Sequence, residues 1–398
     1  MATCSAEDPE NWVAGGAKWA PIRDELEDMG WNKLIKDAPL QRFDPGLFPL
    51  KGGKLALTRE YKFFKGKVVA LNWAPGSVNQ DLSNRLVAAD QDGRVTIINA
   101  KKGSRNRGYT CRGPAQFVQA VALHAEKDIV LSGGMDNTIA LYKPEDEKDP
   151  TNPFMEKAKS WAGEGVEGHD AMISSLRFVD GMKFLSTSGD GEARLWDAAS
   201  SSAACLTQFL GHVGEATSVC QPRDPQNGGT HLFATCGSDR TVRQWDIRSG
   251  KQTHLFYSDS PLDVMNACDY FPNGMAIAAG GQGQTTYLWD IRSCKCIADY
   301  TRNNMKVTGV AFSASGRALF VGHEDGRIIV WDTFGPVGNQ KYAIKHDAHT
   351  VGGAGNPSKE SQITNVRLKP DGEFLATAAF DGTTKVWGGL TWASSNKV

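Results

Sequence analysis

The segment GSDRTVRQWDIRSG, residues 237–250, combines three features that recur along this chain of 398 residues. A turn aspartate, Asp239, is followed by a run of alternating side chains and then by Trp245 and Asp246. Alternation of this kind predicts a β-strand, because successive side chains in a strand point to opposite faces. The segment contains no nucleophile or metal-ligand pattern, so it indicates a fold rather than a catalytic site.

The same pattern occurs in seven copies, four that end at Trp-Asp and three degenerate ones. The copies end at Asn99, Tyr142, Asp197, Asp246, Asp290, Asp332 and Gly388. Most of the spacings are close to the roughly 40–45 residues of a four-stranded propeller blade with a Trp-Asp signature. The longer intervals contain polar or turn-rich stretches at 144–168, 221–231 and 333–361, which are predicted to be loop insertions.

Each copy has a turn between its second and third strands, and five copies have a tryptophan in the third strand. Aspartate in such a turn can bond its own backbone, and the following glycine or asparagine tolerates a positive φ. The turn pairs are Asp92-Gly93, Asp136-Asn137, Asp190-Gly191, Asp325-Gly326 and Asp381-Gly382. The tryptophans that we expect to fill the space between neighbouring blades are Trp196, Trp245, Trp289, Trp331 and Trp387.

From about residue 55 to residue 390 the chain resembles the WD-repeat family, and two copies keep the Gly-His pair that this family places before the innermost strand. In the family the histidine bonds the turn aspartate and, through a hydroxyl, the tryptophan of its own blade. The resemblance therefore implies two buried structural networks rather than metal or catalytic sites. Their members are His169 with Asp190 and Trp196, and His212 with Asp239 and Trp245.

The predicted fold is all-β: a seven-bladed WD-repeat β-propeller over residues 55–398, preceded by an extension over residues 1–54. The stretch LALTREYKFF, 55–64, precedes the first complete copy. We expect it to be the outer strand of the last blade, since this pairing would remove an open edge and close the ring. Residues 21–38 are predicted to form one short helix. Two interpretations of the extension stay open: a tail that packs on the propeller, or an anchor for another protein.

Within the family, the chain looks most like the β subunits of heterotrimeric G proteins. Residues 168–197 resemble their third blade, 133–142 part of the second, and 265–300 and 307–332 the fifth and sixth. The start of the first blade, GKVVALNWAP at 66–75, is also similar.

This resemblance implies a partner-binding face, with every position carried over singly. Lys67 and Asn137 keep the family's residues, whereas the other positions carry replacements, and Val264 and Gln282 stand where the family has aspartates. Acidic anchors that make charge-assisted hydrogen bonds often dominate an interface. The candidate partner-binding residues are Lys67, Phe117, Gln119, Met135, Asn137, Met172, Glu215 and Phe380.

Composition and motif searches favour a non-catalytic protein. The 44 Lys and Arg balance 45 Asp and Glu, so we expect no nucleic-acid partner. No apolar run approaches the roughly 18 residues of a membrane span, and no signal peptide is recognisable, which predicts no membrane insertion and a cytoplasmic location. The eight cysteines are irregularly spaced and are expected to be reduced. No catalytic motif, metal site or cofactor site is predicted; His346 and His349 lack a third ligand.

The sequence predicts protein partners and leaves three functions open. The first is a G-protein-β-like signalling subunit that binds an α-like subunit. The second is an architectural subunit of a large assembly, such as a cytoskeletal, ciliary or ribosomal one, with a matching cytoskeletal or ciliary association. The third and weakest is a substrate receptor of a ubiquitin ligase. Residues 1–50 show no sustained heptad, so we expect no conventional γ partner bound through a coiled coil.

Overall fold

A computed structural model describes the chain from residue 55 to residue 388. Within this span it leaves out residues 56, 63, 76–83, 102–109, 112–116, 145–153, 162–167, 203, 224–230, 259, 261–262, 302–304, 334–343 and 348–361. The predicted extension, its helix over 21–38 and most of the 333–361 insertion, including His349, lie outside the described residues. The described part contains strands and turns and no helix. It therefore has no helix long and apolar enough to cross a membrane.

The described strands form seven blades of four antiparallel strands each, which confirms the predicted fold; the outer strands of the first two blades, Thr110–Cys111 and Phe154–Trp161, also pair with each other in parallel. Blade one consists of β2 (Val68–Trp73), β3 (Arg85–Asp90), β4 (Val95–Asn99) and β5 (Thr110–Cys111). Blade two consists of β6 (Val118–Leu123), β7 (Val130–Gly134), β8 (Ile139–Pro144) and β9 (Phe154–Trp161). Blade three consists of β10 (Ile173–Phe178), β11 (Lys183–Ser188), β12 (Ala193–Asp197) and β13 (Thr207–Phe209). Blade four consists of β14 (Ala216–Cys220), β15 (Leu232–Gly237), β16 (Thr241–Asp246) and β17 (Lys251–Tyr257). Blade five consists of β18 (Met265–Tyr270), β19 (Ala276–Gly281), β20 (Thr285–Asp290) and β21 (Lys295–Thr301). Blade six consists of β22 (Val307–Phe312), β23 (Ala318–His323), β24 (Arg327–Asp332) and β25 (Ile344–Asp347). Blade seven consists of β26 (Ile363–Leu368), β27 (Phe374–Ala379), β28 (Thr384–Gly388) and β1 (Leu57–Tyr61).

The N-terminal strand closes the ring, as predicted from residues 55–64. Strand β1 pairs antiparallel with β28, the third strand of the last blade. Tyr61 and Phe64 are buried in a cluster that also contains residues of blades one and seven, among them Trp73 and Val386. Because β1 and β28 come from opposite ends of the propeller sequence, this pairing joins the first blade to the last and covers an edge that would otherwise be open.

The predicted tryptophans fill the spaces between blades. Trp196, Trp245 and Trp289 are each at most 2% exposed, and Trp331 and Trp387 are also buried. Each belongs to an apolar cluster; Trp196, for example, packs with Trp161 of the preceding blade. Burying such a large ring contributes more apolar area than any other side chain can, so the repeated tryptophan explains why neighbouring blades stay in contact.

All seven turns between the second and third strands contain a residue with positive φ: Gly93, Asn137, Gly191, Arg240, Gln284, Gly326 and Gly382. The sequence indicated five of them through glycine or asparagine. In the glycine-rich stretch 280–286 the positive φ falls on Gln284, and none of its three glycines has one. A Cβ on Gly283 would instead overlap the buried carboxylate of Asp263, so Gly283 is required for close packing.

The first strand of every blade has a β-bulge at the same place. The pairing with the second strand shifts just after the first residue in all seven inner strands. The bulge turns the second residue of each strand toward the central channel. These seven channel-lining residues are Val69, Gln119, Ser174, Thr217, Asn266, Thr308 and Thr364.

Four of these side chains each form a hydrogen bond from their own blade to the next one. Thr217 donates a hydrogen bond to the carbonyl oxygen of Met265 at 2.5 Å, and Asn266 donates to that of Val307 at 2.8 Å. Ser174 donates likewise to Ala216, and Thr364 donates to Val68 across the closure of the ring. The wall of the channel therefore contributes to stability, since its polar groups satisfy backbone acceptors between blades.

Candidate partner-binding face

One opening of the channel gathers residues that are far apart in the sequence. The first residue of each inner strand pairs with the end of its second strand, as Val68 does with Asp90. Residues just before an inner strand therefore lie beside the turn that follows the second strand. The positions just before an inner strand are occupied by Lys67, Phe117, Met172 and Glu215. The turns that follow a second strand contain Met135, Asn137 and Phe380.

Phe117 and Met135 form the apolar centre of this face. The amide of Phe117 donates to the carbonyl of Gln91 at 3.0 Å, and the amide of Met135 donates to the carbonyl of Phe117 at 3.2 Å. Phe117 has a φ of 61°, an uncommon conformation for a bulky residue. Its side chain is nevertheless 49% exposed, and that of Met135 is 55% exposed. Fixed backbone and exposed apolar side chains together provide a preformed contact surface.

Lys67 and Phe380 meet at the junction between blades one and seven. The ammonium group of Lys67 lies 4.5 Å from the centre of the Phe380 ring. A cation over an aromatic face is attracted by the ring quadrupole. The contact orients a lysine that is otherwise a long flexible side chain, and it places one positive charge on the rim.

The remaining predicted contact residues have different surroundings. Asn137 uses its side-chain amide to donate to the carbonyl of Asp170 at 3.1 Å, which links blades two and three. The backbone carbonyls of Met172 and Glu215 each accept a hydrogen bond from the following turn of their own blade. Gln119 lies on the channel wall rather than on the rim, because it is the bulged second residue of β6.

Beneath this face, the fourth blade contains the network built on His212. Its Nδ1 lies 3.0 Å from a carboxylate oxygen of Asp239, and its Nε2 lies 2.8 Å from the hydroxyl oxygen of Thr235. The indole nitrogen of Trp245 donates to the same hydroxyl at 2.9 Å. Asp239 also accepts from the amides of Val213 and of a residue in its own turn. Every polar member of this network is thus satisfied.

The third blade repeats this arrangement with His169. Its ring nitrogens lie 2.7 Å from Asp190 and 2.7 Å from the hydroxyl of Ser186, which also accepts from Trp196 at 2.8 Å. In the described part of the chain, His169, Asp190 and Glu192 form the one cluster that could hold a metal ion by geometry. Both nitrogens of His169 are already engaged, so the residues do not fit a metal site.

The two turn aspartates are held in their charged form. Burial raises the pKa of each carboxyl, but the hydrogen bonds from His212 and from Thr241 and Val213 outweigh it, so the pKa of Asp239 lies well below its ordinary value. Asp190 has the same balance of burial against hydrogen bonds from His169 and the turn, and its pKa is also lowered. Both groups therefore favour the folded state while they are ionised.

Acid should destabilise the propeller partly through these two carboxyls. A depressed folded-state pKa stabilises the protein above the unfolded pKa of about 3.9, and that contribution is lost as pH falls toward the folded value. We expect the free energy of unfolding to fall below about pH 5 more steeply in the wild type than in Asp239→Asn. Denaturant unfolding at a series of pH values measures this; parallel curves for the two proteins would contradict the assignment.

Sequence reasoning did not name the hydroxyl members of the networks. Ser186 and Thr235 both lie in second strands, ten residues before the tryptophan that they accept from. Thr377 stands at the same spacing before Trp387 in blade seven and accepts from it at 3.0 Å. A hydroxyl residue at this fixed distance from the tryptophan was a signal in the sequence that could have identified all three.

Comparisons with known proteins agree with this architecture. The model of the family described as "WD domain, G-beta repeat" matches residues 105–143, 164–197, 203–246, 294–332 and 354–388. The structure is a seven-bladed β-propeller that carries WD repeats over these matched residues. Proteins of this class typically act as non-catalytic scaffolds for protein partners.

Among such proteins, the chain is similar to β subunits of G proteins. It is 27% identical over 392 residues to the guanine nucleotide-binding protein subunit beta of Nicotiana tabacum, covering 95% of this chain and 96% of the relative. It is 28% identical over 380 residues to the subunit beta-1 of the same organism, covering 92% and 93%. The subunit beta of Saccharomyces cerevisiae is 26% identical over 344 residues, covering 77% and 74%. The chain is thus a divergent WD-repeat protein that resembles G-protein β subunits over nearly its whole length.

Proposed function

We propose that this protein is a G-protein-β-like scaffold that binds its main protein partner through the face around Lys67, Phe117 and Met135. The observation that carries the proposal is the pair of exposed apolar side chains, Phe117 and Met135, held by backbone hydrogen bonds at the rim of the channel. Aromatic residues are enriched among interface hot spots, and methionine adapts to irregular surfaces. The similarity to G-protein β subunits supports an α-like subunit as the partner.

The face differs in charge from the one that the resemblance implies, and this difference limits which proteins can bind it. Gln282 is exposed, and its amide donates to the carbonyl of Val264 at 2.9 Å, so these two residues are neighbours on the same rim. Both stand where the resemblance implies aspartates. A partner that relies on two acidic anchors at this point would lose its charge-assisted bonds. The proposed partner therefore contacts mainly the apolar centre and Lys67.

The double variant Lys67→Ala, Phe117→Ala should fold normally and lose its partner. Phe117 lies at the surface, so its truncation opens no cavity, whereas loss of an aromatic hot spot weakens binding by about tenfold or more. Binding of a purified GDP-bound G-protein α subunit is measured by biolayer interferometry with wild-type and variant protein.

A matched control is Tyr257→Ala, which removes an exposed aromatic side chain at the end of the outer strand of blade four. This variant should bind the α subunit like the wild type. Binding by the double variant at wild-type strength, with an unchanged melting temperature, would exclude this face. If the wild type does not bind the α subunit, the signalling assignment is wrong and the architectural one is favoured.

The second candidate is an architectural subunit of a large assembly, for example a cytoskeletal or ciliary one. The neutral pair Val264 and Gln282 favours this second candidate. A transient signalling partner would use charged anchors at these positions, whereas a permanent interface does not need them. We propose a cytoplasmic location under either function. Size-exclusion chromatography of native extract separates the two: an architectural subunit elutes entirely with a large complex, whereas a signalling subunit elutes with a complex of α-subunit size.

A further inference from the structure

The end of the channel opposite the partner-binding face carries a group of charged side chains. The inner strands run from the partner-binding opening toward the other one, and their fifth residues lie near that second opening. In three blades the fifth residue is charged: Arg177 in blade three, Asp269 in blade five and Arg367 in blade seven. Arg223, just after the inner strand of blade four, joins them. The group thus holds three positive charges and one negative charge.

The one carboxylate of this group forms an ion pair with Arg223. An oxygen of Asp269 lies 2.8 Å from the guanidinium of Arg223 and also accepts from the amide of Phe312 at 2.9 Å. Arg223 has a further acceptor in the carbonyl of Phe312 at 3.3 Å. Asp269 also raises the pKa of Arg177 by its negative charge, but one carboxylate cannot balance three arginines, so the group keeps a net positive charge.

The other two arginines have no carboxylate partner among the described residues. Arg177 donates to the neutral side-chain oxygen of Gln221 at 3.2 Å. Arg367 lines the channel, and its Nε is buried without any hydrogen-bond partner in the described part of the chain. A buried guanidinium donor that makes no hydrogen bond is costly, which distinguishes this group from the polar ring near the other opening, where the side chains are used between blades.

Arg177 and Arg367 belong to inner strands on opposite sides of the ring. Blades three and seven are three positions apart on the shorter way round a ring of seven, so their inner strands lie on opposite walls. Burial lowers the pKa of Arg177, and the positive charge of Arg367 lowers it further. An arginine nevertheless stays protonated in proteins, so the repulsion persists until an anion relieves it.

We propose that Arg177 and Arg367 form a binding site for a phosphate-bearing small molecule at this end of the channel. The planar guanidinium group matches the geometry of phosphate oxygens, and two such groups on opposite walls can bind one phosphate from both sides. The bound phosphate supplies the negative charge that the described residues lack and gives Arg367 its acceptor. The shared chemistry is the phosphate group, which free inorganic phosphate and a polyphosphorylated inositol both carry.

The test is titration of the full-length protein in phosphate-free buffer, followed by calorimetry and by thermal unfolding. The probes are inorganic phosphate and myo-inositol hexakisphosphate, used separately. We expect at least one of them to bind and to raise the melting temperature. Arg177→Gln and Arg367→Gln should each weaken binding by about tenfold or more, since each removes charged hydrogen bonds. Arg248→Gln, which alters an exposed arginine on a turn of blade four, is the control and should bind normally.

The sign of the stability change separates a binding role from a structural one. Without phosphate, Arg367→Gln should leave the melting temperature unchanged or raise it, because the variant removes an unpaired charge; with phosphate, it should melt below the wild type. A lower melting temperature in both buffers would mean that Arg367 is structural and would overturn the proposal. So would the absence of binding by the wild type, or equal binding by the wild type and both arginine variants. Tighter binding of the inositol compound would assign the site to a polyphosphate, and equal or tighter binding of inorganic phosphate to a single phosphate.

Discussion

Deletion of residues 1–65 should leave a protein that aggregates or unfolds. The deletion removes β1, which pairs with β28 through Leu57, Arg59, Glu60 and Tyr61. Without it, the last blade would expose a row of unpaired backbone groups on β28, and such an edge readily pairs with another chain. The ring would also lose its junction, because Tyr61 and Phe64 pack between the first and last blades.

A pair of point variants on the same strand makes this expectation quantitative. Tyr61 is 1% exposed, and Leu57 is 49% exposed. Tyr61→Ala should cost about 3–5 kcal/mol of unfolding free energy, in the range found for buried aromatic residues, whereas Leu57→Ala should cost well under about 1 kcal/mol. Denaturant titration measures both. A deletion product that stays monomeric with an unchanged melting temperature would show that β1 is not needed for closure.

Asp239→Ala should destabilise the protein by about 1–3 kcal/mol, and by more than a typical turn substitution. The change removes the carboxylate partner of the Nδ1 of His212 and of the amide of Thr241, and the side chains of both His212 and Asp239 are nearly closed to water. Unmet buried donors cost the full desolvation of each group. His169→Ala should act similarly in blade three, where it removes the partner of Asp190 and Ser186.

The second blade offers the control for this prediction. Asp136 occupies the same turn position as Asp239, but it is exposed, and its described contacts are the amide and hydroxyl of Thr138. Asp136→Ala should therefore cost clearly less than Asp239→Ala. Chemical denaturation of both variants decides the matter: equal losses would show that the His212 network adds nothing beyond an ordinary aspartate turn.

The sequence alone determined the number of blades, the closing strand and the histidine, aspartate and tryptophan members of the two networks. Seven spaced copies predicted seven sheets, and six of the copies end at the last residue of a strand. The pairs of His212 with Asp239 and His169 with Asp190 followed from the resemblance, and their hydrogen bonds are present. These features are encoded within one blade or in one repeated pattern, so local spacing is sufficient to predict them.

The polar contacts between neighbouring blades were decided by the tertiary structure alone. The shared bulge placed the second residue of each inner strand in the channel, and from there Thr364 reaches the carbonyl of Val68, which is 296 residues away. Asp263 occupies the space that a Cβ on Gly283 would need, a contact that the glycine-rich stretch itself does not indicate. Arg177 and Arg367 look like ordinary surface residues of alternating strands until closure of the ring brings their two walls together. No local pattern encodes this proximity, because it depends on the angle between blades and on the complete ring.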